Sequence, residues 1–205
     1  MENSETTDSK EETGERRIGL LGGSFNPAHA GHLHVSRQAL RLLELDEIWW
    51  LVSPQNPLKP ENGMAPLRDR MDVARHMAGD DPKISVTDIE AELGTIYTVD
   101  TLEALRQRHS RANFALLAGA DILEEIPRWR RWERIFEIVP IAVFARKPYT
   151  LKALSGLAAQ RFAQFRIKEE DAPTLASRTP PAWVFLHIEE HPASATAIRA
   201  ARETG

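Results

Sequence analysis

From Ile18 onward, short, predominantly apolar runs alternate with longer segments whose apolar residues recur at helical spacing. The runs 18–21 (IGLL), 47–52 (EIWWLV), 84–89 (ISVTDI), 113–118 (NFALLA), 140–145 (PIAVFA) and 182–188 (AWVFLHI) read as strands. Between them, 32–44, 66–78, 98–108, 121–138 and 150–164 read as helices, with 121–138 in two pieces broken at Pro127 and 66–78 opening on a proline in its first turn. A last helix begins near Ser194. Strands apolar on both faces need cover on both faces, so this alternation predicts an α/β fold, a doubly wound parallel sheet with helices on either side. Ligands of such sheets bind beyond the carboxyl ends of the strands, which directs attention to the strand-to-helix loops.

The 205 residues suit one compact domain. Residues 1–17 carry six acids, three bases and no aliphatic or aromatic residue after Met1, which predicts a disordered acidic tail ahead of a single domain at 18–205. That domain is close to neutral and lacks the broad cationic face on which nucleic-acid binding depends. No apolar run approaches the roughly 18 residues of a membrane-spanning helix, and the tail lacks the apolar stretch of a signal peptide. Without Cys there is no thiolate metal site and no cysteine nucleophile, and the composition fits a reducing cytoplasm.

Three loops carry candidate chemistry. In GGSFNPAHAGH (22–32), Gly22 and Gly23 allow a tight turn and a close approach of backbone to ligand. Their spacing matches neither the dinucleotide fingerprint nor a P-loop. His29 and His32 stand three apart at a helix mouth, beside unpaired amide N–H groups and the positive dipole end, an arrangement suited to a polyphosphate. The structural alternative is that His29 caps the helix and His32 faces solvent. His32 and His34 point about 200° apart on a helix, which argues against one shared metal ion. In SATAIRA (194–200), Ser194 is a candidate N-cap, Ser194 and Thr196 add hydroxyl donors, and Arg199 adds a permanent charge on the face of Thr196. Asp121, in Gly119-Ala120-Asp121 after the fourth strand, can accept from ribose hydroxyls or a base amino group, or can cap the next helix.

In order along residues 18–200, these loops resemble the bacterial nicotinate-nucleotide adenylyltransferases of the nucleotidylyltransferase superfamily. GGSFNPAHAGH matches the H-x-G-H loop; SPQNPLKP (53–60) resembles the P-x-x-P-x-K loop; TIYTVDTL (95–102) resembles the Y-T-x-D-T segment. GAD (119–121) and PRWRRW (127–132) also fit, and SATAIR corresponds to an I-S-S-T-x-I-R ending. Ala193 and Ala195 replace the Ile and second Ser of that ending, and Asn26 stands where Asp is frequent.

The resemblance implies a Rossmann-like fold and transfer of the adenylyl group of ATP to nicotinate mononucleotide, giving deamido-NAD and pyrophosphate. It would make His32, His29 and Arg199 catalytic. Gly22, Gly23, Ser24, Phe25, Gly119, Asp121, Ser194, Thr196 and Ile198 would bind ATP. Lys59, Tyr97, Thr98 and Trp129 would bind the acceptor, with Trp129 stacked on the pyridine, whereas Trp132, Trp49 and Trp50 read as packing. Mg²⁺ would arrive on the triphosphate with mostly water ligands, and no protein metal site is expected. The acceptor's phosphate, with a second pKa of about 6, is already ionised at neutral pH and requires no general base. Catalysis would then rest on positioning and charge stabilisation. Two other readings stay open: an adenylyltransferase for nicotinamide mononucleotide or phosphopantetheine, and a nucleotide-binding sensor without turnover.

Overall fold

The computed structural model describes residues 15–54, 63–145, 150–189, 191–193, 195 and 198–199. Its strands are β1 (Arg17–Gly23), β2 (Glu47–Val52), β3 (Ile84–Thr87), β4 (Asn113–Gly119), β5 (Ile141–Phe144) and β6 (Trp183–Leu186). They form one sheet in the order β3-β2-β1-β4-β5-β6, and every neighbouring pair is parallel. The chain winds outward from β1 to β3, then crosses to β4 and winds the other way. The crevice therefore opens between the carboxyl ends of β1 and β4.

Both faces are covered, as strands without a polar face require. On one face α1 (Ala30–Leu42), α2 (Leu67–Ala78) and a 3₁₀ segment, Glu169–Ser177, cover Leu21, Trp50, Leu117 and Phe144. On the other, Leu20, Leu51, Leu116 and Phe185 lie under a layer made from α3 (Ile89–Leu93), α4 (Thr98–Arg108), α5 (Ile122–Glu125), α6 (Trp132–Ile138), α7 (Thr150–Leu154) and α8 (Leu157–Arg161). The sheet packs closely at Gly19, where a Cβ would stand 2.7 Å from Ile48 Cδ1 and 2.8 Å from Leu117 Cδ1 and would oblige those side-chain ends to shift. Among the described residues no helix is long and apolar enough to cross a membrane.

Several boundaries differ from the sequence reading. Arg17, assigned to the tail, is the first residue of β1, and Arg16 beside it pairs with Glu47. Most of the tail, residues 1–14, lies outside the described residues. Pro66 is the N-cap of α2 rather than its first residue. The third strand stops at Thr87, where its pairing with β2 ends, and Ile89 opens α3. The helix expected over 150–164 is two helices, because Gly156 serves as N-cap of the second. The break within 121–138 falls at Trp129–Arg131, with Arg131 at φ 49°; Pro127 sits inside a 3₁₀ turn, Ile126–Arg128.

One buried cation ties the loops above the sheet together. Arg70 of α2 is 2% exposed, and its guanidinium donates to the carbonyls of Ser24 (2.6 Å), Ser53 (2.7 Å), Pro54 (3.0 Å) and Ala65 (2.8 Å). Burial without a described carboxylate partner lowers its pKa from the ordinary arginine value. The carbonyl dipoles of the loops after β1 and β2 solvate it instead, so its removal strands several acceptors at once. Arg70→Met is expected to destabilise the fold by about 2–4 kcal/mol, read as a lower urea midpoint at unchanged slope.

Candidate active site

A cavity of about 880 Å³ opens at the carboxyl edge of the sheet, within the usual size of a small-molecule site. Gly22, Gly23 and Ser24 after β1 border it on one side, and Gly119 and Asp121 after β4 on the other. A Cβ on Gly22 would meet no protein atom within 4 Å, so that strand end presents bare backbone to the cavity.

The helix mouth between them is built from imidazoles. His29 is the N-cap of α1, and its Nδ1 accepts from Gly31 N at 3.1 Å. His32, at the third helical position, accepts through its own Nδ1 from His29 N at 3.1 Å. This is a capping box in which two imidazoles replace the usual hydroxyl and carboxylate. A ring nitrogen that accepts from an amide bears no proton, so in the neutral ring the proton is on Nε2. Both histidines border the cavity as oriented Nε2–H donors, with ring centroids 3.9 Å apart. The capping alternative and the polyphosphate reading are therefore compatible: different nitrogens of the same rings serve each.

The rings are backed from below. Phe25, 2% exposed and at φ 46°, lies 4.6 Å from the His32 ring and stacks on Trp50 at 5.3 Å. Its side chain supports the loop from within the core. Trp50 Nε1 donates to Ser36 Oγ at 2.7 Å, and Ser36 Oγ donates to the His32 carbonyl at 2.9 Å. The His34 Nε2 lies 2.7 Å from the Glu189 carbonyl. Among the described residues no group of three or more His, Asp or Glu side chains is gathered as for a metal ion.

The second helix mouth reaches the same loop. Ala195, Ile198 and Arg199 are helical, and Arg199 Nη1 donates to the Asn26 carbonyl at 2.7 Å. The Asn26 side chain donates to the Gly63 carbonyl at 2.9 Å and accepts from Ala65 N at 3.3 Å, so one residue joins two loops and the last helix. Ser194, Thr196 and Lys59 lie outside the described residues.

At the far end, Tyr97 is the N-cap of α4 without a side-chain capping bond, and Thr98 is its first residue. Both border the cavity, as does Trp129. Arg130 holds its guanidinium 4.8 Å from the centre of the Tyr97 ring. Glu103 receives both Arg131, at 3.0 and 3.2 Å, and Arg134, at 3.1 Å; these hydrogen bonds hold its carboxyl below the ordinary value and tie the Trp129–Arg131 bend to α4. Trp132 packs edge-on against Phe136 and Phe162, and Trp49 against Phe114, as packing residues do. Asp121 makes no capping hydrogen bond with its side chain.

The cytidylyltransferase-like family pattern matches residues 20–201. A relative in Methylorubrum extorquens is 55% identical over 89% of this chain and 98% of its own length. Another, in Parvibaculum lavamentivorans, is 53% identical over 89% of this chain and 90% of its own. Each is named "Probable nicotinate-nucleotide adenylyltransferase". The chain belongs to the nicotinate-nucleotide adenylyltransferase family. The same fold occurs in a Plasmodium falciparum nicotinic acid mononucleotide adenylyltransferase solved with NaAD, at TM-score 0.68 and 17% identity, covering 90% of this chain and 83% of that one.

Two cavity-lining groups of this family member escaped the sequence reading. His191 accepts from Ala193 N through Nδ1 at 3.1 Å, repeating the tautomer of His29 and His32. Glu90 was hidden because the apolar run 84–89 reads as continuous strand; a carboxylate just past a strand end was the available signal. Gly31 completes the capping box, since a Cβ there would lie 2.9 Å from the His29 ring and 3.0 Å from the Ala193 carbonyl. Gly31→Ala is therefore expected to lower the urea unfolding midpoint, at a cost of about 1–3 kcal/mol for overpacking. An unchanged midpoint would show that the His29 ring has room to yield.

Proposed function

We infer that this chain is a nucleotidyltransferase that moves the adenylyl group of ATP to nicotinate mononucleotide, forming deamido-NAD and pyrophosphate in NAD biosynthesis. The observation that carries the reading is the Arg199–Asn26 hydrogen bond. It sets a permanent cation against the loop that carries His29 and His32, which supports a reading in which donors from both ends of the chain share one triphosphate. Membership of the family supports the choice of acceptor.

In this reading an oxygen of the acceptor's phosphate attacks the α-phosphorus of ATP in line. The bond from that phosphorus to the β-bridging oxygen breaks, and pyrophosphate leaves with the electron pair. The acceptor oxygen is already ionised, so no residue must remove a proton. Nε2–H of His32, with that of His29, donates to α- and β-phosphate oxygens as charge shifts onto them. The Asn26 bond to one guanidinium nitrogen aims Arg199, and Ser194 and Thr196 share the outer phosphates with it. Backbone at Gly22, Gly23, Ser24 and Phe25 lies along the nucleotide, Gly119 and Asp121 take the adenosine, and Ile198 packs the second mouth. Magnesium enters on ATP as part of the substrate, with the remaining ligands from water.

Lys59 takes the acceptor's phosphate, Trp129 stacks on its pyridine, and Tyr97 and Thr98 offer backbone N–H groups to the ring carboxylate. Arg130, over Tyr97, adds positive charge at that end. The proposed location is the cytoplasm, a reducing compartment that suits a chain without Cys.

Pyrophosphate release from ATP, assayed with nicotinate mononucleotide, nicotinamide mononucleotide and phosphopantetheine, tests the reading. Nicotinate mononucleotide is expected to be used with at least about tenfold higher kcat/KM than the amide, one charge-assisted hydrogen bond being sufficient. Equal use would assign a dual acceptor, and no release with any of them would leave the sensor reading. His32→Ala is expected to lower kcat about a hundredfold or more, while loss of its capping bond costs only about 1 kcal/mol of stability. A near-normal rate in a folded His32→Ala variant would make the loop structural.

A further inference from the structure

The chain between β6 and the last helix forms one wall of the cavity, where Glu189, His191 and Ala193 all border it. Contacts at two heights lay this segment against the first turns of α1. The Glu189 carbonyl accepts from His34 Nε2 at 2.7 Å, and a Cβ on Gly31 would lie 3.0 Å from the Ala193 carbonyl. His191 sits between those two contacts, its ring centroid 5.7 Å from that of His34. The mechanism above makes no use of it.

The local turn needs only half of this imidazole. Nδ1 accepts from Ala193 N at 3.1 Å, a bond to the amide two residues on that Asn, Asp or Ser makes as readily. That bond leaves the proton of the neutral ring on Nε2. Among the described residues nothing accepts from Nε2, and the side chain is exposed, so core packing does not account for the ring. His34 differs, because its Nε2 is taken by the Glu189 carbonyl. What His191 adds to the turn is one N–H at the cavity wall.

The same contacts select the end of the cavity that this N–H serves. Gly31 and His34, against which the segment lies, flank His32 on α1. Downstream the segment leads into the helix of Arg199, whose guanidinium donates to the Asn26 carbonyl at 2.7 Å. His191 therefore stands on the stretch of chain that links the two helix mouths. Tyr97 and Trp129 border the cavity from other elements, the N-terminus of α4 and the bend before α6.

We propose that His191 is a third imidazole donor of the site, whose Nε2–H bonds a non-bridging oxygen on the outer phosphates of ATP, a role that rests on ATP being the nucleotide, as read above. The bond stays with those phosphates as they leave in pyrophosphate. An N–H given to an anionic oxygen is charge-assisted and roughly twice as strong as a bond between neutral groups. The Ala193 amide holds the ring by its other nitrogen before ATP arrives, so little side-chain freedom is lost on binding. His29 and His32 are held through Nδ1 in the same way, and all three rings border one cavity.

Two amide substitutions separate the ring nitrogens. The oxygen of Asn replaces Nδ1 and keeps the turn but leaves no donor at the place of Nε2, whereas the longer Gln brings an N–H to that place and gives up the turn. His191→Asn is expected to weaken ATP about tenfold, read as Kd by titration calorimetry and as KM, with the KM of the acceptor unchanged. In the reverse reaction the KM of pyrophosphate should rise by a similar factor, while deamido-NAD, which has no outer phosphates, keeps its own. His191→Gln is expected to retain most of the affinity for ATP. The opposite ranking, His191→Gln impaired and His191→Asn normal, would assign the ring to the turn alone and overturn the proposal. So would unchanged ATP affinity in His191→Asn, or a loss for deamido-NAD equal to that for pyrophosphate, which would move the contact to the adenosine. ATP binding is measured without an acceptor, so failure to use nicotinate mononucleotide would overturn only the choice of acceptor. A chain that does not bind ATP would overturn both readings.

Discussion

The amides of His29 and Gly31 donate to the Nδ1 atoms of His32 and His29, and the orientation of both imidazoles at the mouth of α1 depends on that pair of bonds. A helix mouth must satisfy its leading N–H groups, and a hydroxyl with a carboxylate is the common solution. A carboxylate at the third position would place negative charge at the edge of the cavity, where the phosphates of ATP are proposed to lie. Two imidazoles satisfy the same amides without charge and still present an N–H on the opposite ring nitrogen. Gly31 makes this possible, because the ring of His29 and the Ala193 carbonyl occupy the space of a Cβ. Cap, donor and loop-to-helix contact are thus a single packing solution.

The loops that carry this arrangement have little regular structure of their own, and polar side chains hold them. Arg70 gathers four carbonyls from the loops after β1 and β2 and the entry to α2. Asn26 then joins the first loop to residues 63 and 65 and, through its carbonyl, to Arg199. An aspartate at position 26 could not donate to the Gly63 carbonyl, so the amide here is a structural choice. The apolar layers beneath provide most of the folding free energy, while these few hydrogen bonds decide where the donors point.

Much of the architecture was legible in local pattern. The apolar runs around 18–21, 47–52 and 113–118 became central strands because nothing polar interrupts them on either face. Helix α4 was read at its observed bounds, Thr98–Arg108, because Val99, Leu102 and Leu105 recur at helical spacing and are all buried. The 3₁₀ cover Glu169–Ser177 was not legible: EEDAPTLAS is half polar, contains Pro173, and is ordered by Ala172, Leu175 and Ala176 against the sheet. Glu90 was concealed for a related reason. ISVTDI remains strand-like in composition through Ile89, and only the end of the β2–β3 ladder at Thr87 releases the next residues into a helix.

By itself, the order of residues determined the strand–helix alternation, the two-faced sheet and the identity of the loops at its carboxyl edge. These follow from periodicity and turn chemistry, which act over a few residues. Only the tertiary structure decided that Arg199 meets Asn26 across 173 positions, and that a glutamate, Glu90, would be buried beside the cavity. Such encounters depend on how separate elements pack. Their energies appear only when both partners have left water, and local pattern carries no record of that.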